Sequence, residues 1–260
     1  MTLVPLFLAT VLGASHPAPY SSGEQMRFGI NFLGMRMGTA QIAVGDEAEG
    51  LVPLDLEAHT TGVAGAFYGF REKLTSRVDP ETGLPRLFVI DTHERNWKHL
   101  DTTEYRRDAG KAVVIEQGKT TSRTEVPIEP DTLDFVALVF QLRRLPLEPG
   151  LRHVFSVVSG TEHPHQVIAE VMDRQVITTR AGTFATLKVR VPTGFTGKFS
   201  ERSPTYLWLS DDVRRVVVRI ATDFSFGGAV AELLSYRPGG EAPSSTAESQ
   251  GAAPGEGAAQ

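Results

Sequence analysis

Four cations and one tryptophan are the residues of this chain whose spacing could do chemistry. Lys188 and Arg190 fall on one face of a β-type run, and Arg215 and Arg219 fall on one face of another. Leu187, Val189 and Val191, and Val216, Val218 and Ile220, take the opposite faces. If the two runs are neighbours in a sheet, the cations make a patch. Guanidinium groups hold phosphate or carboxylate through paired hydrogen bonds, so an anionic lipid head group or an acidic polysaccharide would suit it. The plainer alternative, which weighs more, is a solvated outer face whose cations pair with Glu170, Glu201 or Glu232. Trp208 is the fifth candidate ligand-binding residue, as part of an apolar lining.

Other reactive side chains lack the spacing that chemistry requires. His163-Pro164-His165 places two imidazoles on one side of an extended chain, but no third ligand stands at a diagnostic distance, and His93 and His99 belong to no metal motif. Asp211 and Asp212 read as turn residues, since neighbours on a strand point to opposite faces. No nucleophile elbow, Walker loop or dinucleotide fingerprint is present, so the expectation is no catalytic residue, no metal and no cofactor.

Composition narrows the class further. The 260 residues are 41% hydrophobic and 22% charged, with a net charge of −5 and no long basic run, which argues against nucleic acid as a partner. The absence of cysteine excludes disulfides, thiolate metal sites and an acylated cysteine. Residues 1–18 read as a secretory signal: an apolar segment from Thr2 to Leu12 runs into small residues around Ala14, although no Lys or Arg precedes it. That segment is too short to cross a bilayer. An exported protein follows, without a transmembrane span in the mature chain. Residues 24–237 read as one β-rich domain, and residues 238–260, with no apolar side chain larger than alanine, as a disordered tail.

The elements that position the candidates are mostly strands. Phe28, Ile30 and Phe32 alternate on one face, Leu33-Gly34 turns, and the run from Met35 to Val44 returns. Further runs follow at 51–59, 74–78, 86–92, 97–106, 112–117, 120–126, 151–158, 166–172, 175–180 and 184–191. A meander from Tyr206 to Tyr236 closes the domain, with turns at Ser210-Asp211-Asp212 and Gly227-Gly228. The interval 61–70 is a glycine-spaced corner, read as a short helix or bend that plugs one end of the sheet with Phe67 and Tyr68. One long helix is expected over 131–145, capped by Asp131 with Asp134 three residues on. Apolar residues cover most of its circumference, so it must be buried, while Arg143 and Arg144 offset the free carbonyls at its end.

Three stretches resemble the family known as domain of unknown function 3108. They are Phe28-Gly29-Ile30 with its Leu33-Gly34 hairpin, the helix from Asp131 to Leu145 leading into Pro146-Leu147-Glu148-Pro149-Gly150, and Gly182-Thr183-Phe184 paired with Tyr206-Leu207-Trp208-Leu209-Ser210-Asp211-Asp212. The resemblance spans Glu24 to Tyr236. It implies a periplasmic or envelope-associated protein of mainly β structure, with a large, strongly curved antiparallel sheet or open half-barrel and one helix packed in or beside it. It implies no reaction. The family's usual proline after the Trp-strand turn is replaced here by Arg215-Val216-Val217.

Three functions compete. The first is a non-catalytic bacterial envelope protein that binds lipid on the concave side of its sheet, lined by Phe, Leu, Val and Trp208. The second is a structural or assembly factor that meets an envelope protein partner. The third, a glycan or lipid hydrolase, requires a polar cluster in a cleft with displaced pKa values.

Overall fold

In the computed structural model, residues 20–158, 160–161, 163–191, 204–224 and 227–240 are described. The expected signal segment at 1–18 and most of the expected tail, residues 241–260, lie outside them. The strands are β1 (Gln25–Phe32), β2 (Met35–Val44), β3 (Val52–Thr60), β4 (Phe70–Val78), β5 (Pro85–Glu94), β6 (Trp97–Arg106), β7 (Lys111–Gln117) and β8 (Thr121–Pro127). After the main helix come β9 (Arg152–Val157), β10 (His165–Thr179), β11 (Gly182–Val191), β12 (Thr205–Ser210), β13 (Val217–Phe224) and β14 (Gly227–Arg237). The helices are α1 (Gly62–Phe67) and α2 (Phe135–Arg144).

All fourteen strands form one antiparallel sheet, ordered β8-β7-β6-β5-β4-β3-β2-β1-β14-β13-β12-β11-β10-β9. Two meanders thus meet at β1 and β14, and the sheet does not close. Laid flat, fourteen strands would span roughly 60 Å. Every strand nevertheless contributes to one buried cluster, from Met26 on β1 through Val126 on β8 and Val157 on β9 to Leu233 on β14. That is only achievable if the sheet curls around α2, whose Val136, Leu138, Phe140 and Leu142 belong to the same cluster. The mainly β, half-open architecture with one buried helix is as expected.

Four local readings change. The cap of α2 is Asp134, whose carboxylate accepts the Ala137 N–H at 2.8 Å, and not Asp131. The reason is tertiary: Leu133 is held extended, donating to Ser156 and accepting from Val158, so helical geometry cannot begin before Asp134. The runs expected at 166–172 and 175–180 are one 15-residue strand, β10, in which a register shift between Val171 and Arg174 absorbs the polar interruption as a bulge. Strand β13 starts at Val217, because Asp212 Oδ1 accepts the N–H groups of Arg214 and Arg215 and prolongs the turn. The corner at 61–70 does contain a helix, but Phe67 is 80% and Tyr68 41% exposed, so they plug nothing.

Arg143 departs most from expectation. It is fully buried and gives paired 2.8 Å hydrogen bonds to Glu24, with a third to the Arg214 carbonyl at 2.9 Å. Tyr236 donates to the same Glu24 carboxylate at 3.0 Å. One node therefore ties α2 to the start of β1, to the β12–β13 turn and to β14.

Candidate functional site

Strand pairing decides which of the five sequence candidates meet. Lys188 faces Trp208 across β11 and β12, Trp208 faces Arg219 across β12 and β13, and Arg219 faces Glu232 on β14. Arg190 lies opposite Tyr206 in the next row. The alternate residues Leu187, Val189, Leu207 and Leu209 point into the main core. The row of Lys188, Trp208 and Arg219 is therefore on the outer face, and Trp208 does not line the concave side as expected. It sits instead in a separate small cluster with Ile177 and Val218, its indole N–H donating to Gln175 at 2.7 Å.

The cations on this face already have partners. The Lys188 ammonium lies 4.3 Å from the centre of the Tyr206 ring and 5.3 Å from that of Trp208. Arg219 lies 5.6 Å from Trp208 and is paired with Glu232 at 2.5 Å. Arg190 approaches Glu170 at 3.9 Å, whereas Glu201 lies outside the described residues. Arg215 does not join them. It sits in the turn before β13 at φ 49°, with its guanidinium 3.0 Å from Asp211. Arg174 and Arg215 hold the Asp211 carboxyl below its ordinary range through hydrogen bonds and charge. The row is a cation–aromatic ladder, worth about 0.5–1 kcal/mol per contact at an accessible site. Lys188→Met is expected to lower stability by about that amount and to shift the Trp208 fluorescence with no loss of fold; an unchanged spectrum would show that the ammonium does not rest on the indole.

The concave side holds the more informative feature. Between α2 and the curled sheet lies a cavity of about 140 Å³, and of its eleven described lining residues only Thr205 is polar. Its lining is drawn from α2 (Phe135 and Val139), from β3 and β4 (Leu56 and Leu74), and from β12 and β13 (Leu207 and Ile220). Phe135, Val139, Leu56, Leu74 and Ile220 all keep part of their surface accessible, unlike residues of a closed core. Thr205 and Thr222 share a 2.8 Å hydrogen bond on the β12–β13 wall.

A polar wall adjoins the cavity on β4, β5 and β6. Glu72 is two residues from Leu74 on the same face of β4, and it faces Thr92, which in turn faces His99. Thr92 donates to Glu72 at 3.2 Å, and His99 Nε2 lies 2.6 Å from Asp101 Oδ1. Trp97 stacks on the His99 ring, with centres 5.0 Å apart, and stays 42% exposed. Burial raises the Glu72 carboxyl above its ordinary value, against the hydrogen bond from Thr92. Burial likewise raises Asp101, opposed by the His99 charge and reinforced by Glu116. His99 held by a carboxylate has the arrangement of a base and its orienting group. No three His, Asp or Glu side chains among the described residues gather to hold a metal ion. This wall was missed from sequence, although strict alternation on β4 puts Glu72 on the face of Leu74 and Ser76.

The sequence profile described as "Protein of unknown function (DUF3108)" matches residues 25–234. No curated protein matches the sequence. Among solved structures, the fold is similar to a β-barrel-like protein of the domain-of-unknown-function family DUF1849 from Brucella abortus. The TM-score is 0.59 at 8% identity, with 84% of this chain and 98% of the other covered. A protein with a YmcC-like fold from Bacteroides fragilis gives a TM-score of 0.35 at 10% identity, over 86% of this chain and 99% of that one.

Proposed function

This chain belongs to the DUF3108 family of proteins of unknown function, so its activity has to be read from its own interior, and we propose that it is a non-catalytic, exported envelope protein that shelters an apolar chain inside its curled sheet. The observation that carries the reading is the cavity against α2, almost wholly apolar yet lined by side chains that water still reaches. An antiparallel sheet hides one apolar face, and among the described residues a single ten-residue helix covers that face incompletely. The volume resembles that of apolar cavities of about 150 Å³ that accept benzene. It suits the end of a hydrocarbon chain, with the remainder lying along the open side of the sheet.

The composition of residues 1–18 supports export. No helix of the described residues is long and apolar enough to cross a membrane. The outer cation–aromatic ladder suits a subsidiary contact with an anionic envelope surface, since its charges are few and mostly paired. A second reading, an assembly factor, is favoured by Val154 and Ile168, which face each other on β9 and β10 and are 57% and 45% exposed beside the sheet edge.

Native mass spectrometry of the full chain exported into a bacterial periplasm tests the proposal. The expected result is a defined extra mass, removed by solvent extraction and absent from Val139→Trp, whose indole would fill the cavity from the accessible side of α2. A bare polypeptide mass from the wild type would overturn it and favour the assembly reading. Recovery of the mass as cleaved products would instead point to turnover at His99 and Asp101.

A further inference from the structure

We infer that the apolar cavity and the wall carrying Glu72, Thr92, His99 and Asp101 form a single amphiphile site, whose head group is a hydrogen-bond donor such as a polyol or an amine and is not a phosphate or carboxylate. The inference rests on the reading of the cavity as a chain shelter and adds the class and orientation of its ligand. The chain end lies against Phe135 and Val139 of α2, and the head group lies at the β4–β6 wall.

The argument starts from how alternation sorts charge across the sheet. On β4, Arg71 and Lys73 project outward, where they pair with Glu57 at 2.8 Å and Asp55 at 3.5 Å on β3. Their neighbour Glu72 projects inward, next to Leu74 of the cavity wall. On β6, Lys98 is exposed on the outer face, while His99 and Asp101 point inward. Asp101 stands opposite Ile90, itself opposite Leu74, and its other neighbour is Glu116 on β7. Among the described residues, the inward positions of β4 to β7 that flank the cavity thus carry Glu72, Asp101, Glu116 and His99, and no Lys or Arg.

A carboxylate can only accept hydrogen bonds, so the ligand that matches this wall must donate them. Thr92 donates one hydrogen bond to Glu72, while Asp101 Oδ1, with His99 Nε2 2.6 Å away, has no hydrogen-bond partner among the described residues, so both fall short of the four acceptor positions of an ionised carboxylate. The elevated proton affinity of both carboxyls has burial as its largest cause, which is the condition of acceptors withdrawn from water. A phosphate at the same place would add negative charge within about 10 Å of two carboxylates in a partly dry wall, where salt screens poorly. The exposed Trp97 ring beside His99 adds a surface suited to a cation or to the apolar face of a polyol.

Native mass spectrometry with three probes sharing one dodecanoyl or dodecyl chain tests this: glycerol monolaurate, dodecylamine and dodecyl phosphate, each titrated into the delipidated full chain. Glycerol monolaurate and dodecylamine are expected to bind about tenfold more tightly than dodecyl phosphate, the discrimination that one or two unmatched polar contacts produce. In Glu72→Gln with Asp101→Asn the three affinities are expected to converge while binding persists. Dodecyl phosphate binding the wild type as well as the others do would overturn the head-group inference and leave the chain shelter standing. Binding of none of the probes would remove the shelter itself. The ranking in the wild type stands as a test even if the double variant fails to fold.

Discussion

Arg143→Ala is expected to lower the stability of this protein by about 3–5 kcal/mol, because it leaves the Glu24 carboxylate buried without its counter-charge. Both side chains of the pair are essentially inaccessible, at 0% and 1% exposure. At this depth the damage comes less from the lost attraction than from the stranded charge, whose desolvation nothing then offsets. Three elements lose their common anchor at once, since Arg143 also holds the Arg214 carbonyl and Glu24 also holds Tyr236. Urea unfolding would show the midpoint falling without a change in slope, and the melting temperature would drop by roughly 10 °C. Joint replacement, Glu24→Leu with Arg143→Met, is expected to recover a large share, since an apolar pair of similar volume avoids the desolvation of both ions. A loss below about 1 kcal/mol in Arg143→Ala, the size of a surface pair, would show that water reaches the node.

Asp134→Asn is expected to remove a pH dependence and to stabilise the protein at neutral pH. Asp134 is completely buried at the start of α2, where burial pushes its carboxyl up from 3.8 to about 6 despite hydrogen bonds from Ala137 and Ser76. A group whose folded pKa exceeds its unfolded value binds its proton more tightly in the native state. Its contribution to stability is therefore fully present below about pH 4 and is lost as the pH rises through about 6. The displacement corresponds to about 3 kcal/mol. Asparagine caps a helix as well as aspartate does, and its amide can still meet both Ala137 and Ser76. The variant is thus expected to equal or exceed the wild type above pH 7 by up to about 3 kcal/mol and to lose this advantage near pH 4. Glu72 and Asp101 also have raised carboxyls and add slope of the same sign, so the difference between variant and wild type isolates Asp134. An Asp134→Asn variant weaker than wild type by more than about 1 kcal/mol at pH near 7.5 would mean that the cap depends on the ionised form, through its interaction with the helix dipole.

The sequence alone was enough to locate most strands and their faces. Alternation placed β2 and β6 at their observed limits, Met35–Val44 and Trp97–Arg106, because a half-buried strand must repeat every two residues. The same rule set Lys188, Arg190 and Arg219 opposite their apolar neighbours, and the apolar circumference of 133–142 required a buried helix. Partners were a different matter. That Arg143 would leave the solvent to meet Glu24, 119 positions away, follows from the curl of the sheet around α2 and from no local pattern. The cap moved to Asp134 because Leu133 pairs with the strand β9, and Arg215 left the cationic row because Asp212 captured the backbone after it.

Trp208 shows the limit most plainly. The sequence reading gave it to the apolar lining of the concave side, whereas strand pairing sets it in one row with Lys188 and Arg219; alternation could not say whether its face was the inside or the outside of the curve. Both faces carry apolar residues, and a single strand has no record of which way its sheet bends. The direction of curl emerges only when all fourteen strands pack on one helix, and it assigned Glu72, His99 and Asp101 to the interior and the cations to solvent. Local sequence determines period and turn, because those depend on neighbours a few residues apart. Which face is sheltered, and so which residues can meet a ligand, was decided by contacts between segments a hundred or more residues apart.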